Sequence, residues 1–182
     1  MYIVHGKGVH VELIVSESEE IEDGVIRGKY DIGVISGIGM PHPLLEENVI
    51  DSDRIDALVS RKGPLAALKK ISAEELVKRP LIMYPKKSRT RQIIDLALRQ
   101  RGLVPKEVID VWYIGAAVRL AEAGLGVAML SHFFIKNELM SHKCSHLRIT
   151  GDPFKRNICV IKKRGAMLSE PAALFYELLM GR

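Results

Sequence analysis

Cysteine is scarce in this chain. Its 182 residues contain two, Cys144 and Cys159. That is too few for a disulfide framework, and it suits a reducing cytosol. Aromatic residues make up only 5%, which argues against a stacking platform for single-stranded nucleic acid. No apolar run reaches bilayer length, so no membrane span is expected. The start has no basic segment followed by a signal-length apolar stretch, because His5, Gly6, Lys7 and Gly8 follow Val4. Export is therefore not expected, and the chain reads as cytoplasmic. Catalytic signatures are missing too. There is no Gly-x-Ser-x-Gly elbow, no P-loop and no His-Glu-x-x-His. Gly37-Ile38-Gly39 follows an apolar run, but Met40-Pro41-His42 breaks the dinucleotide pattern. With no nucleophile–base pair and no metal set, no enzyme and no cofactor are expected.

Apolar residues reach 47% and charged residues 27%, the balance of an ordinary globular chain. A chain of this length buries roughly 70% of the surface its unfolded form exposes, so it needs no staple to fold. The net charge is +5 and the pI about 9.2. The positive residues lie in short scattered groups, unlike the dense block of a nucleic-acid binder.

Val9 to Val15 alternates and is β-branched, which predicts a strand. Ser16-Glu17-Ser18-Glu19-Glu20 offers N-cap hydroxyls and first-turn acids for a helix stopped by Gly28. Tyr30 to Ile35 reads as a buried strand, which completes a βαβ-sized unit. Ser36 to Asp53 reads as a loop, and Ile55 to Ser60 as a strand. Ser72 with Glu75 forms a capping box, and Pro80 ends that helix. Strands are then expected at 81–84, 108–112, 127–130 and 157–162. Helices are expected at 91–101, 114–123 and 133–139, with a last one from Ser169-Glu170-Pro171. This alternation predicts an α/β fold with mainly parallel sheets.

Two polar turns lie where a strand gives way to a helix. One is Ser16-Glu17-Ser18. The other is Lys86-Lys87-Ser88-Arg89-Thr90-Arg91. Ligands of open α/β sheets bind at such carboxyl ends, and a helix start attracts anions. The plainer roles are capping for the serines and solvation for the basic residues. His142-Lys143-Cys144-Ser145-His146 groups three metal-ligand types, but with no Cys-x-x-Cys partner it reads better as a polar surface loop.

The order of these motifs resembles the effector-binding domain of LysR-type transcriptional regulators. The similar stretches are Val11 to Ser18, Ile26-Arg27-Gly28-Lys29-Tyr30-Asp31-Ile32-Gly33-Val34, Gly63-Pro64-Leu65-Ala66, Ile71 to Leu76 with Arg79 to Ile82, and Leu120 to Leu130. Ser131 stands where the family usually has proline. The resemblance implies two Rossmann-like lobes joined by two crossovers, a periplasmic-binding-protein-like type 2 fold. Lobe one would span 1–80 plus 151–182, and lobe two 81–150, with a small polar or anionic effector between them. It also implies effector contacts at Ser16, Ser18, Ser36, Gly37, Pro85, Ser88, Arg89, Thr90, Ile114 and Gly115. A homodimer is expected. The domain's first strand and helix are expected to be absent, and so is the winged helix-turn-helix through which such regulators reach DNA. A free solute-binding protein of the same architecture is the alternative.

Overall fold

The computed structural model describes residues 11–37, 41–138, 143–151 and 154–181. Expectations that touch Val9, Gly39, Leu139, His142, Asp152 and Pro153 lie outside these residues. The chain divides into two compact units. Unit one is Met1–Asp51 with Asn157–Arg182, and unit two is Ser52–Arg156. The chain thus passes from one unit to the other twice. The expected lobe of 81–150 lies wholly within unit two.

Unit one holds helix α1 (Ser18–Ile26), strand β1 (Gly33–Gly37), the first part of strand β2 (Leu45–Ser60), strand β8 (Lys155–Lys163) and helix α6 (Glu170–Leu179). β1 runs antiparallel to β8, with Ile35 opposite Cys159, and β8 neighbours β2. The small core joins Ile21 and Val25 of α1 to Ile35, Leu45, Cys159 and Ile161. The strand expected up to Val15 does not form over 11–15. Among the described residues β1 pairs with β8 alone; the segment forms no strand beside it, and Leu13 and Val15 are exposed. The expected βαβ unit is therefore a helix followed by one strand of an antiparallel pair. The loop expected up to Asp53 is largely β2. Pro41 and Pro43 break the chain before it, and the polar residues after Leu45 sit on a half-exposed stretch. The apolar stripe expected on α6 stays open at Leu174 and Leu178, and Tyr176 is its buried residue.

Unit two is a three-layer α/β/α body. Its sheet runs β7 (Cys144–Ile149), β2, β6 (Val127–Ser131), β4 (Pro80–Met83) and β5 (Glu107–Asp110). β3 (Lys70–Ile71) lies parallel to β7. β4 is parallel to both β5 and β6, but β2 is antiparallel to β6 and β7. The sheet is mixed rather than mainly parallel. Side chains alternate between its faces. Ile55, Ala57, Leu81, Met83, Val127 and Met129 point to one face, with Ile94 and Leu98 of α3 (Arg89–Gln100) and Leu76 of α2 (Ala73–Leu76). Leu58, Ile82, Ala128 and Leu130 point to the other, with Ala117, Val118 and Ala121 of α4 (Ile114–Glu122) and Ile135 of α5 (His132–Glu138). Burial on both faces explains why β6 reads as an unbroken apolar run.

Local signals set the helix ends. The Ser72 hydroxyl accepts from the Glu75 N–H, as the capping box requires. α4 ends in a Schellman motif, in which Leu125 N–H reaches Leu120 C=O and Gly124 N–H reaches Ala121 C=O. Gly124 takes the left-handed conformation there, with φ of 77°. Two residues on, a Cβ on Gly126 would lie 2.6 Å from the Pro80 carbonyl. Only glycine lets β6 start this close to β4.

Candidate functional site

In unit two the parallel strands β5, β4 and β6 end on one edge, and helices α4, α3 and α5 start there in turn. Such an edge gathers helix N-termini and strand-end loops, the usual place for a ligand in an open α/β sheet. The turn expected from Pro85 to Thr90 lies on it. Pro85 is buried, and its carbonyl accepts from the Ser88 N–H at 2.9 Å. Ser88 is the N-cap of α3, extended and buried, and its side chain makes no capping bond. The first-turn N–H groups that follow have no intrahelical acceptor. Thr90 is also buried, and its Oγ1 accepts from Arg156 Nη1 at 2.8 Å.

Arg156 anchors a network that sequence reasoning missed. Its Nε and Nη2 donate to Asp53 Oδ2 at 3.1 and 2.9 Å. Ser131 Oγ donates to the same oxygen at 2.5 Å. Asp53 and Ser131 are both buried. A strand end (Ser131), a strand interior (Asp53), a chain crossover (Arg156) and a helix start (Thr90) thereby share one polar cluster. The sole sequence signal was Ser131 in a position where proline is usual. Nothing in the local pattern singles out Asp53 or Arg156, since their pairing spans 103 positions.

The basic turn is less free than its composition suggests. The Arg91 side chain is 5% exposed and bonded to Asp95, Asp110 and the Tyr84 carbonyl. Burial alone would lower its pKa, but the two carboxylates outweigh this and raise it. Arg91 therefore ties α3 to the strand ends instead of facing a ligand. Lys87 Nζ sits 4.7 Å above the Trp112 ring and links this turn to the one before α4. Lys86 is exposed and Arg89 half-buried. Ile114 and Gly115 form the first turn of α4, and a Cβ on Gly115 would meet nothing.

In unit one, the N-cap of α1 is Glu17, not either serine. The Ser16 hydroxyl donates to the Glu20 carboxylate. The Ser18 Oγ accepts from the Ser36 N–H at 3.4 Å, so α1 and β1 bring these two residues together. Gly37 is tightly packed, because a Cβ there would lie 2.6 Å from Cys159 Sγ. A groove of about 720 Å³ also opens in unit one, lined by Val11, Leu13, Val15, Tyr30, Phe175 and Leu179 among others. It includes Ser16 but none of the other predicted contacts, and most of its wall is apolar. The polar edge of unit two carries that chemistry better, despite the groove's size.

The expected polar loop around Cys144 is strand β7. Cys144 points into the core, and His146 reaches Asp56 instead, at 2.8 Å. β-Branching is weak there, so period alone did not reveal the strand.

The LysR substrate binding domain model matches residues 4–182. A probable RuBisCO transcriptional regulator from Cyanophora paradoxa is 29% identical over 93% of this chain and 54% of its own length. The HTH-type regulator CysL of Bacillus subtilis is 26% identical, over 84% of this chain and 51% of its own. The activator CmpR of Synechocystis is 25% identical, over 94% and 56%. The chain spans about half the length of the curated relatives it matches. Among solved structures, the Synechocystis CcmR regulatory domain in complex with 2-PG superposes with a TM-score of 0.82 at 23% identity, covering 96% of this chain and 83% of that one. The effector binding domain of QuiR in complex with shikimate gives 0.80 at 17% identity, covering 91% and 78%. These likenesses show a periplasmic-binding-protein-like type 2 fold. The relatives are named as regulators, not enzymes. With a family match running almost end to end, the chain belongs to the LysR substrate-binding domain family.

Proposed function

We propose that this chain is the effector-sensing part of a LysR-type transcriptional regulator and that its effector is a small anion. The observation that carries this reading is Arg156 Nη1 on Thr90 Oγ1 at the start of α3. A guanidinium, a buried hydroxyl and the first-turn N–H groups of a helix converge there. Together they offer directed donors and the positive end of a helix dipole to a carboxylate, sulfate or phosphate. Ser88 supplies a second hydroxyl, and Pro85 holds the turn. Arg89, Ile114 and Gly115 complete the proposed contacts in unit two. Ser16, Ser18, Ser36 and Gly37 are proposed contacts in unit one. Several relatives are solved with small ligands: CcmR with 2-PG, QuiR with shikimate, BenM with benzoate. That supports a small-molecule role for this chain, without naming its ligand.

Binding would act by favouring one conformation of the two units, and by linkage one geometry of an oligomer. A homodimer in the cytoplasm is the assembly we propose. Among the described residues, no helix is long and apolar enough to cross a membrane. The test is a thermal-shift panel of inorganic phosphate, sulfate, small carboxylates and phosphorylated acids. At least one should raise Tm, by mass action on the folded state. Thr90→Ala should weaken that response about tenfold, roughly the 1.4 kcal/mol of one charge-assisted hydrogen bond. A panel that leaves Tm unchanged overturns the reading.

A further inference from the structure

The other face of the unit-two sheet carries a second polar cluster. Asp56 follows Asp53 by three positions in β2, so strand alternation turns it toward the opposite side. Its carboxylate is 1% exposed. Asp56 Oδ2 lies 3.0 Å from His132 Nδ1 and 2.8 Å from His146 Nε2. The two imidazole rings are 5.5 Å apart. One donor atom from each of the three residues falls within 4.8 Å of the others. Each comes from a different element. Asp56 is on β2, His132 opens α5, and His146 is on β7.

We propose that Asp56, His132 and His146 form a site for a divalent transition-metal ion of the zinc class. Two imidazoles and a carboxylate are donors that such ions favour. In a tetrahedral site with metal–ligand bonds near 2.1 Å, ligand atoms stand about 3.4 Å apart. The observed separations need only small side-chain adjustments to reach that. The backbone is already braced, since Asp56 is paired with Leu130 across β6 and Leu58 with His146 across β7. The His132 and His146 side chains are 17% and 23% exposed, which leaves a path for entry. Three protein ligands leave a fourth position open to water or another small donor.

Arg54 is the competing cation. Its Nε donates to Asp56 Oδ2 at 2.9 Å, and its Nη2 lies 3.1 and 3.2 Å from the two ring nitrogens of His132. It neutralises the buried carboxylate and must swing out when a metal enters. Its side chain is 31% exposed, so it can reach solvent.

Titration of the full chain with CoCl2 tests the site, because tetrahedral cobalt absorbs in the visible. One cobalt per chain is expected, with a d–d band that zinc abolishes by displacement. His132→Gln and His146→Gln should each weaken binding tenfold or more, with far-UV circular dichroism confirming that both variants fold. Arg54→Ala should bind several-fold more tightly. No band at stoichiometric cobalt overturns the proposal. So does a band that survives both histidine changes, which would place the ion on His5, His10, His42 or His142. Weaker binding in Arg54→Ala overturns it as well.

Discussion

Arg156 and Asp53 show how much one ion pair can carry. The Asp53 side chain is 1% exposed and that of Arg156 12%. Arg156→Ala would leave a buried carboxylate held, among the described residues, by Ser131 and a backbone N–H. We expect it to cost about 3 kcal/mol of stability in urea unfolding. Adding Asp53→Ala should cost less than the sum of the two single changes, because the stranded charge is then gone. Nearer the surface, the half-buried Glu46 pairs with Lys162 at 2.6 Å and accepts from the Gly165 N–H. The Lys162 hydrogen bond, then that N–H, hold its pKa below the usual 4.5. A depressed carboxylate stabilises the fold above its unfolded pKa and loses that effect as pH falls through the folded value. The Tm gap between the parent chain and Glu46→Gln should therefore be present at pH 7 and close below about pH 4.5.

The elements were legible wherever a local cause sets them. The capping box at Ser72, the periodic stripe of α3 and the Gly124 stop of α4 all act within a few residues, and each forms as its pattern predicts. Elements that depend on a distant partner were not legible. β7 and β3 stabilise each other across more than 70 positions. The 11–15 segment alternates like a strand, yet forms none. Gly126 depends on tertiary contact in the same way. Gly126→Ala would push a Cβ into the Pro80 carbonyl, and backbone must move to admit it. A loss of about 1–3 kcal/mol is expected from chemical denaturation.

Across the whole molecule, protection should follow burial. All five residues of β6 are buried, and β6 sits between β2 and β4. β1 has alternating exposure and a single partner strand. Native-state hydrogen exchange should find β6 amides slowest and β1 amides markedly faster. Equal protection in the two strands would contradict this ordering. Among the described residues, unit two also holds two apolar clusters against one in unit one, so unit one should open at lower denaturant.

The α/β class, most element positions and the family can be read along the chain, because periodicity, caps and motif order are properties of short stretches. The sequence also pointed to the turns at Ser18 and Ser88–Thr90, since helix starts are marked locally. What those turns face is set by the three-dimensional packing. It withdrew Arg91 into an ion-paired core and brought Arg156 onto Thr90. It also gathered Asp56, His132 and His146 from positions up to 90 apart. Charge networks of this kind close through space, and no local pattern along the chain records them.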